Sequence, residues 1–432
     1  MNDIKINPGR SYAIIPEFLF DALEDHSRTG MAVIIENGRI GRVCPASEIP
    51  ADMQWITLAD GTLIPGMIDA HVHLDDWELP YYLAYGITTV RDVGNSLPFI
   101  LDARKKAADP SFPSPSIVCC GPFIDKMPYY HANMSWGMEN SRDIEVAMRC
   151  LKMFSVDYIK LYNDLTPEMA AKAVIEAKKS GFYVLADFGS KAVLDAALEA
   201  GLDEFEHLFG LPDEFSQEAA DAVLSRGTRM VATRALFENI LPDRFRTPEG
   251  QAILKNVPEN IAAYWLGTLD FRNEAFIKAC GTKREYLKYF IENHANLGIG
   301  TDTACWWMFP GMSYADELQV HVECGLSCAD TLKLATARNA ETLRLESRIG
   351  TIEAGKRADL AFVKGDPLAG IKAVGHVLLT VKEGHLFDPA ELILQSQEAK
   401  PVSNSLRDFG SRAPECSDWK SDREIAGMLE VL

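Results

Sequence analysis

A parallel α/β barrel is the fold this sequence predicts, on three observations. From residue 63 onward, eight short β-rich runs alternate with helical segments in one series. Residues with metal-binding chemistry fall at the ends of several of these runs. Hairpin-like β patterning at both ends of the chain brackets the whole series. An unbroken series of eight strand–helix units favours a closed parallel sheet over an open one.

The expected strands are TLIPGMIDAHVHL (62–74), GITTVRDV (86–93), SIVCCG (116–121), VDYIKLY (156–162), FYVLADF (182–188), DEFEHLF (203–209), RMVATRAL (229–236) and LGIGTDT (297–303). Amphipathic stretches lie between them. One runs from Thr166-Pro167-Glu168 to Lys179, with Pro167 at a helix start and Gly181 just past the end. The long gap over residues 237–296 predicts a helical insertion above one end of the barrel.

Before the barrel, Met31–Ile35 and Ile40–Val43 flank the turn Glu36-Asn37-Gly38-Arg39, a hairpin signal. After it, RIGTIEAGKRADLAFV and HVLLTVKEGHLF return to alternating apolar patterning with glycine-marked turns. The simplest packing joins the two ends as one β-sandwich: residues 1–62 and 346–394 form it, 63–345 form the barrel, and 395–432 are an extension. The extension is polar, with Pro401 and Pro414, and ends in the short amphipathic EIAGMLEVL; it reads as a linker and docking helix, or as partly disordered.

Composition excludes some classes of function. With 47% hydrophobic and 24% charged residues over 432 positions, this is an ordinary globular composition. No apolar run is long enough for a membrane span, and the N-terminus lacks a signal-peptide pattern. Nine cysteines without a C-x-x-C pair fit reduced thiols and a cytoplasmic setting. A net charge of −19 disfavours nucleic acid and anionic membranes. The expected partners are a small-molecule substrate and further copies of the chain.

The chemistry lies at the strand ends. His71 and His73 are two residues apart, so a strand turns both imidazoles to one side, where they can share a metal ion. Lys160 ends the fourth strand; a lysine aimed into a barrel either pairs with a carboxylate or reacts with carbon dioxide to give a carbamate, an anionic group able to bridge metals. His207 ends the sixth strand and is the third imidazole, with Glu206 beside it as an orienting or surface group. Asp302 ends the eighth strand, where it can touch the metal, take a proton from an activated water and pass it to a leaving group. Each residue alone has a structural explanation in the core; together, at the catalytic end of a barrel, they point to a metal site.

With these residues placed, the sequence resembles the amidohydrolase superfamily, specifically its imidazolonepropionase/prolidase-like branch. The resemblance rests on GTLIPGMIDAHVHL, YGITTVRDVG, VDYIKLY, GLDEFEHLFG, LGIGTDT and ATARNAETLRLESRIGTIEAGKRADLAFVKGDPL, and spans residues 31–388. It implies a distorted (β/α)8 barrel with a composite β-sandwich, and one or two divalent ions, commonly zinc. By that pattern His71, His73 and Asp302 hold the buried ion, while Lys160, N6-carboxylated, bridges to a second ion held by His207. The family's usual histidine at the end of strand five is here Asp187. Either its carboxylate keeps the second site, or that site is lost and one ion suffices. The first is favoured, because a buried aspartate calls for a cation.

The expected reaction is hydrolysis of a C–N bond by a metal-activated hydroxide, with Asp302 as base and then acid. Pocket candidates follow the strand ends: Tyr130 and His131, Arg234 for a substrate carboxylate, and Trp306 with Trp307 as an aromatic wall. They point to an N-acyl amino acid, dipeptide-like or cyclic amide substrate. The alternatives are a lactonase or other ester hydrolase on the same metal, and a metal-less scaffold, for which only Asp187 speaks. Nucleobase deamination is disfavoured, since superfamily deaminases typically lack the strand-four lysine.

Overall fold

The computed structural model describes residues 11–129, 131, 133–238, 247–267, 274–303, 305 and 307–399. The chain begins with β1 (Tyr12–Leu19), β2 (Met31–Glu36), β3 (Arg39–Pro45) and β4 (Gln54–Pro65). The barrel segment then contributes β5 (Met67–Val72), β6 (Ile87–Asp92), β7 (Ser116–Cys119), β8 (Phe123–Lys126), β9 (Ser135–Met138), β10 (Tyr158–Leu161), β11 (Tyr183–Ala186), β12 (Glu204–Glu206), β13 (Arg229–Val231) and β14 (Leu297–Gly298). It ends with β15 (Leu360–Lys364), β16 (Val377–Lys382) and β17 (His385–Phe387).

The fold is the expected distorted barrel. Its strands run parallel in two sheets, β5-β6-β7 and β14-β13-β12-β11-β10-β8-β9. Hydrogen bonds outside the regular ladders join the sheets. Asp157 N donates to Cys119 O at 2.9 Å, which links β7 to the start of β10. On the other side Ala70 N donates to Ile299 O at 3.0 Å and Asp302 N to His71 O at 2.8 Å. All eight expected strands are found, each at or near its expected position.

Two details differ from the expectation. The run 62–74 is two strands, because Pro65 has no N–H to continue the pairing and Gly66 crosses directly over Thr88. A Cβ on Gly66 would lie 2.2 Å from Thr88 Oγ1. The chain thus leaves the composite sheet and enters the barrel at this dipeptide. The run 229–236 stops as a strand at Val231, and Arg234 opens a short helix, Arg234–Glu238, instead of ending a strand. In addition, β8 and β9 form a parallel pair beside β10 that the alternating pattern did not reveal.

Between strands, the helices follow local signals. Pro167–Lys179 starts with the Thr166 side chain accepting from Met169 N, and Gly181 leaves it at φ +81°. Its Ala170, Ala173, Val174 and Ala177 stripe is buried in the largest core cluster, which fills the space between barrel strands and helices. The insertion is helical, with Pro248–Leu254, Glu259–Gly267 and Glu274–Glu292.

The two chain ends form one seven-stranded sheet, ordered β17-β16-β15-β4-β1-β2-β3. One face of this sheet covers a core that includes Ile14, Val33, Ile40, Leu63, Phe362 and Val381. Its outer parts approach each other: Tyr12 Oη donates to Gly384 O at 2.7 Å, and Ile40 N to Lys356 O at 2.8 Å. The β2–β3 turn places Asn37 at φ +50° and Gly38 at φ +74°, the geometry that favours Asn-Gly. A helix, Pro389–Glu398, follows β17, and the segment EIAGMLEVL lies outside the described residues.

The barrel's closing seam has no spare volume. A Cβ on Gly300 would stand 2.4 Å from His71 Cβ and 2.7 Å from His71 N. Gly300→Ala should therefore destabilise the fold by about 1–3 kcal/mol, the usual range for overpacking. Chemical denaturation beside Gly201→Ala makes an imperfect control, since Gly201 has open space but φ +93°; Gly370→Ala, with open space and no positive φ, should by contrast leave the midpoint nearly unchanged.

Candidate metal centre

His71 on β5 and His73 just past its end fall on the same side, as a period of two requires. Both are buried, and so is Asp302, which the closing seam brings beside them. His73 Nε2 lies 3.3 Å from Asp302 Oδ1, and His71 Nε2 lies 3.5 Å from the same oxygen. One ligand atom from each of the three residues falls within 4.8 Å of the others. His207 joins from the end of β12, its Nε2 3.9 Å from Asp302 Oδ2 and 3.7 Å from Asp187 Oδ2. Its ring centre is 4.6 Å from that of His71. Lys160 on β10 is 1% exposed, and its amine has no hydrogen-bond partner among the described residues.

These residues suit a cation. Two donors bonded at ~2.0–2.1 Å to a tetrahedral ion stand ~3.3–3.4 Å apart, close to the separations of Asp302 Oδ1 from His71 and His73. Among the described residues, His71 Nε2 and Asp302 Oδ1 are buried without a hydrogen-bond partner, the condition that a bound cation relieves. The donor set of imidazole nitrogen and carboxylate oxygen matches zinc and similar divalent ions.

Each imidazole is aimed by a partner on its other nitrogen. His71 Nδ1 is 2.6 Å from Glu206 Oε2, His73 Nδ1 is 2.8 Å from Gly94 O, and His207 Nδ1 is 2.6 Å from Thr233 Oγ1. The backbone is strained where it carries them: φ is +60° at His207, +44° at Thr233 and +65° at Asp302, values that side chains other than glycine rarely adopt. Asp69 clamps the seam from below, accepting from Thr301 N at 3.0 Å and Thr301 Oγ1 at 2.6 Å.

Burial and charge oppose each other throughout the centre. Burial pushes the Asp187 carboxyl up to about 6, against the pull of Lys160 and His71. Burial acts on Asp302 in the same direction, but His71, His73 and His207 outweigh it and hold its carboxyl well below the usual range. Asp302 is thus kept as an anion, the form needed both to bind a cation and to accept a proton.

An aromatic wall adjoins His73. Phe123 lies 5.5 Å from the His73 ring and stacks on Tyr162 at 4.4 Å. His131 Nε2 is 3.2 Å from Tyr162 Oη, which places His131 beside the centre. Sequence reasoning missed Phe123 and Tyr162, although Tyr162 is the second residue after Lys160 and shares its side of the strand. Tyr130 and Trp306 lie outside the described residues. Trp307 is packed in a core with Trp77, Tyr81 and Trp265.

Arg234 is 0% exposed. Its Nη2 donates to Cys280 O at 2.9 Å and its guanidinium lies 5.3 Å from the Phe237 ring, so it braces the insertion against the barrel. Next to it, Glu317 Oε2 accepts from Ala235 N at 2.6 Å and the Glu317 carbonyl meets His321 Nδ1 at 2.9 Å.

This barrel, closed over two histidines from one strand and an aspartate from the last, defines the class. Residues 62–387 match the amidohydrolase family, and the chain belongs to it. Among solved structures, a putative prolidase from Bifidobacterium longum has TM-score 0.73 at 21% identity, covering 90% of this chain and 99% of that one. A bottromycin amidohydrolase has TM-score 0.74 at 21% identity over 92% of each chain. A Xaa-Pro dipeptidase with bound methionine has TM-score 0.70 at 22% identity, covering 88% of this chain and 100% of that one. In sequence, an adenine deaminase of Lactiplantibacillus plantarum (strain ATCC BAA-793 / NCIMB 8826 / WCFS1) is 33% identical over 124 residues. That match covers 25% of this chain, which thereby spans only 20% of the deaminase. Among the described residues no helix is long and apolar enough to cross a membrane.

His321 makes a testable contribution to acid stability. Burial lowers its pKa to about 4, whereas an unfolded histidine titrates near ~6.5. Between these values the unfolded chain binds a proton that the folded chain does not. Stability from this group is complete above the unfolded value and falls as pH drops through the window. His321→Gln should flatten the fall in unfolding free energy between about pH 6.5 and 4 by up to ~1.4 kcal/mol per pH unit, read from denaturation curves. An unchanged slope would mean that the imidazole is charged in the native state.

Proposed function

We propose that the chain is a metal-dependent hydrolase that cleaves a C–N bond in a small molecule, with an N-acyl amino acid, a dipeptide-like compound or a cyclic amide as substrate. The observation that carries this reading is the convergence of His71, His73 and Asp302 on one buried centre. Membership of the amidohydrolase family supports the bond type, and the prolidase and dipeptidase among the structural neighbours support the substrate class.

His71, His73 and Asp302 would hold the principal ion, zinc by its donor set, and Lys160, Asp187 and His207 flank them as candidates for a second. A bound divalent cation supplies Lewis acidity, which acidifies a water molecule and polarises a carbonyl. The remaining steps belong to the chain. Asp302 spans the histidines, with Oδ1 towards His71 and His73 and Oδ2 towards His207. Its carboxylate takes a proton from the attacking water and returns it to the departing nitrogen. Phe123 and Tyr162 form an apolar surface beside His73, which excludes bulk water and strengthens the local electrostatics. Lys160 offers either an ammonium to the surrounding carboxylates or, carboxylated on Nζ, an anionic bridge.

Asp302→Asn should preserve the melting profile and lower turnover by about 10²–10⁴-fold, the usual contribution of a positioned acid–base group. The assay is a panel of N-acyl amino acids, Xaa-Pro dipeptides, cyclic amides and lactones. Turnover confined to the lactones would replace the C–N assignment with ester hydrolysis. Metal analysis of the purified protein after zinc or manganese supplementation should give at least one ion per chain; a metal-free protein would point to a non-catalytic scaffold.

A further inference from the structure

Strand β12 carries glutamates at 204 and 206, both fully buried, with Phe205 between them in the outer core. Period two turns both carboxylates into the barrel. Two anions on one side of a buried strand repel each other and lose their hydration, so the arrangement needs a compensating cation. Arg91, from β6 across the barrel, is that cation. It is fully buried, and its Nη2 pairs with Glu204 Oε1 and lies 3.4 Å from Glu206 Oε1. Its Nε donates to Ala70 O at 2.7 Å, on the strand that carries His71, and its guanidinium lies 5.5 Å from the Tyr158 ring. Tyr183 Oη donates to Glu204 Oε2 at 3.1 Å.

The division of labour is unequal. Glu204 is occupied by Arg91 and Tyr183. Glu206 has one oxygen near Arg91 and the other, Oε2, 2.6 Å from His71 Nδ1. Glu206 Oε2 therefore engages Nδ1 and leaves Nε2 as the nitrogen that faces Asp302 and the centre. The other two imidazoles of the centre meet neutral oxygens, from Gly94 and Thr233. Among the three, His71 has an anion behind it.

We propose that Glu206, braced by Arg91 and Glu204, is a positioning residue that fixes the tautomer and ring direction of His71 and thereby sets the cation affinity of the centre. The inference rests on the metal-site reading above, but the Glu206–His71 contact can be tested without any ion. A carboxylate behind a ligating histidine raises its basicity, and loss of such a partner typically costs 10–100-fold in affinity.

The test has two arms. In the first, zinc affinity of the full-length protein is measured by competition with a chromophoric chelator. Glu206→Gln should bind about 10–100-fold more weakly than wild type, with an unchanged apo melting profile. Glu206→Asp keeps the charge but withdraws it by one methylene, so it should lose a similar factor. Wild-type affinity in both variants overturns the proposal; wild-type affinity in Glu206→Asp alone would reduce Glu206 to a charge-balancing group and overturns the positioning role. In the second arm, ¹⁵N-histidine spectra of the metal-free wild-type protein should contain a strongly deshielded Nδ1–H signal that is absent from His71→Asn. Its absence from wild type overturns the proposal even if the variants fail to fold. A wild-type protein that shows this signal yet binds no ion would sink the metal-site reading and leave the Glu206–His71 geometry standing.

Discussion

The hydrogen-bonded seam between β5 and residues 299–303 brings His71, His73 and Asp302 together at the mouth of the barrel. Ala70 and Asp302 donate across it to Ile299 and His71, and Thr301 is gripped by the buried Asp69. Asn339 rivets it from outside: its Nδ2 donates to Ile68 O at 2.7 Å and Ile299 O at 2.8 Å, while its Oδ1 accepts from Ile299 N at 3.0 Å. Residues separated by some two hundred positions in sequence thus meet within a few ångströms. Gly300 permits that approach because its backbone passes directly over His71. The open peptide geometry of an L-residue at φ +65° is then forced on Asp302, and the packed seam bears the strain.

Below this mouth the barrel interior is unusually charged. Arg91, Lys160, Glu204, Glu206 and Asp69 are all buried, in a space that barrels more often fill with branched aliphatic side chains. Such a layer is poor value for stability alone, since desolvating ions can cost more than their attraction returns. Its geometry accounts for it better: Arg91, Glu204 and Glu206 connect strands β5, β6 and β12 and end at the imidazole of His71. Burial pushes the Glu206 carboxyl up, but His71, Lys160 and Arg91 outweigh it, and Glu206 stays ionised.

The sequence made the barrel and the candidate ligands legible because both depend on simple periodicities. His71-x-His73 on an apolar strand, and Lys160, His207 and Asp302 at strand ends, follow from period two and strand order. The supports were harder to read. Gly94 aims His73 through a carbonyl, a group every residue has, so no sequence signal marks it. Thr233 and Arg91 are matched to their partners only by tertiary contact across the barrel. Glu206 reads from the sequence as an orienting or surface group beside His207, but that it backs His71, and that Glu204 shares Arg91 with it, depends on contacts across the barrel. Arg234, an arginine near a strand end, is buried and bonded to Cys280 O, a contact that no sequence pattern marks. The split at Gly66 escaped notice because the apolar pattern continues unbroken from one sheet into the other.

The central claim is that one buried centre gathers a cation from His71, His73 and Asp302. Anomalous X-ray diffraction from crystals of the zinc-supplemented protein, collected on both sides of the zinc absorption edge, addresses it directly. The account predicts an anomalous peak within bonding distance of His71 Nε2, His73 Nε2 and Asp302. A zinc-loaded crystal with no peak between these side chains, or with its only peaks at the protein surface, would contradict it.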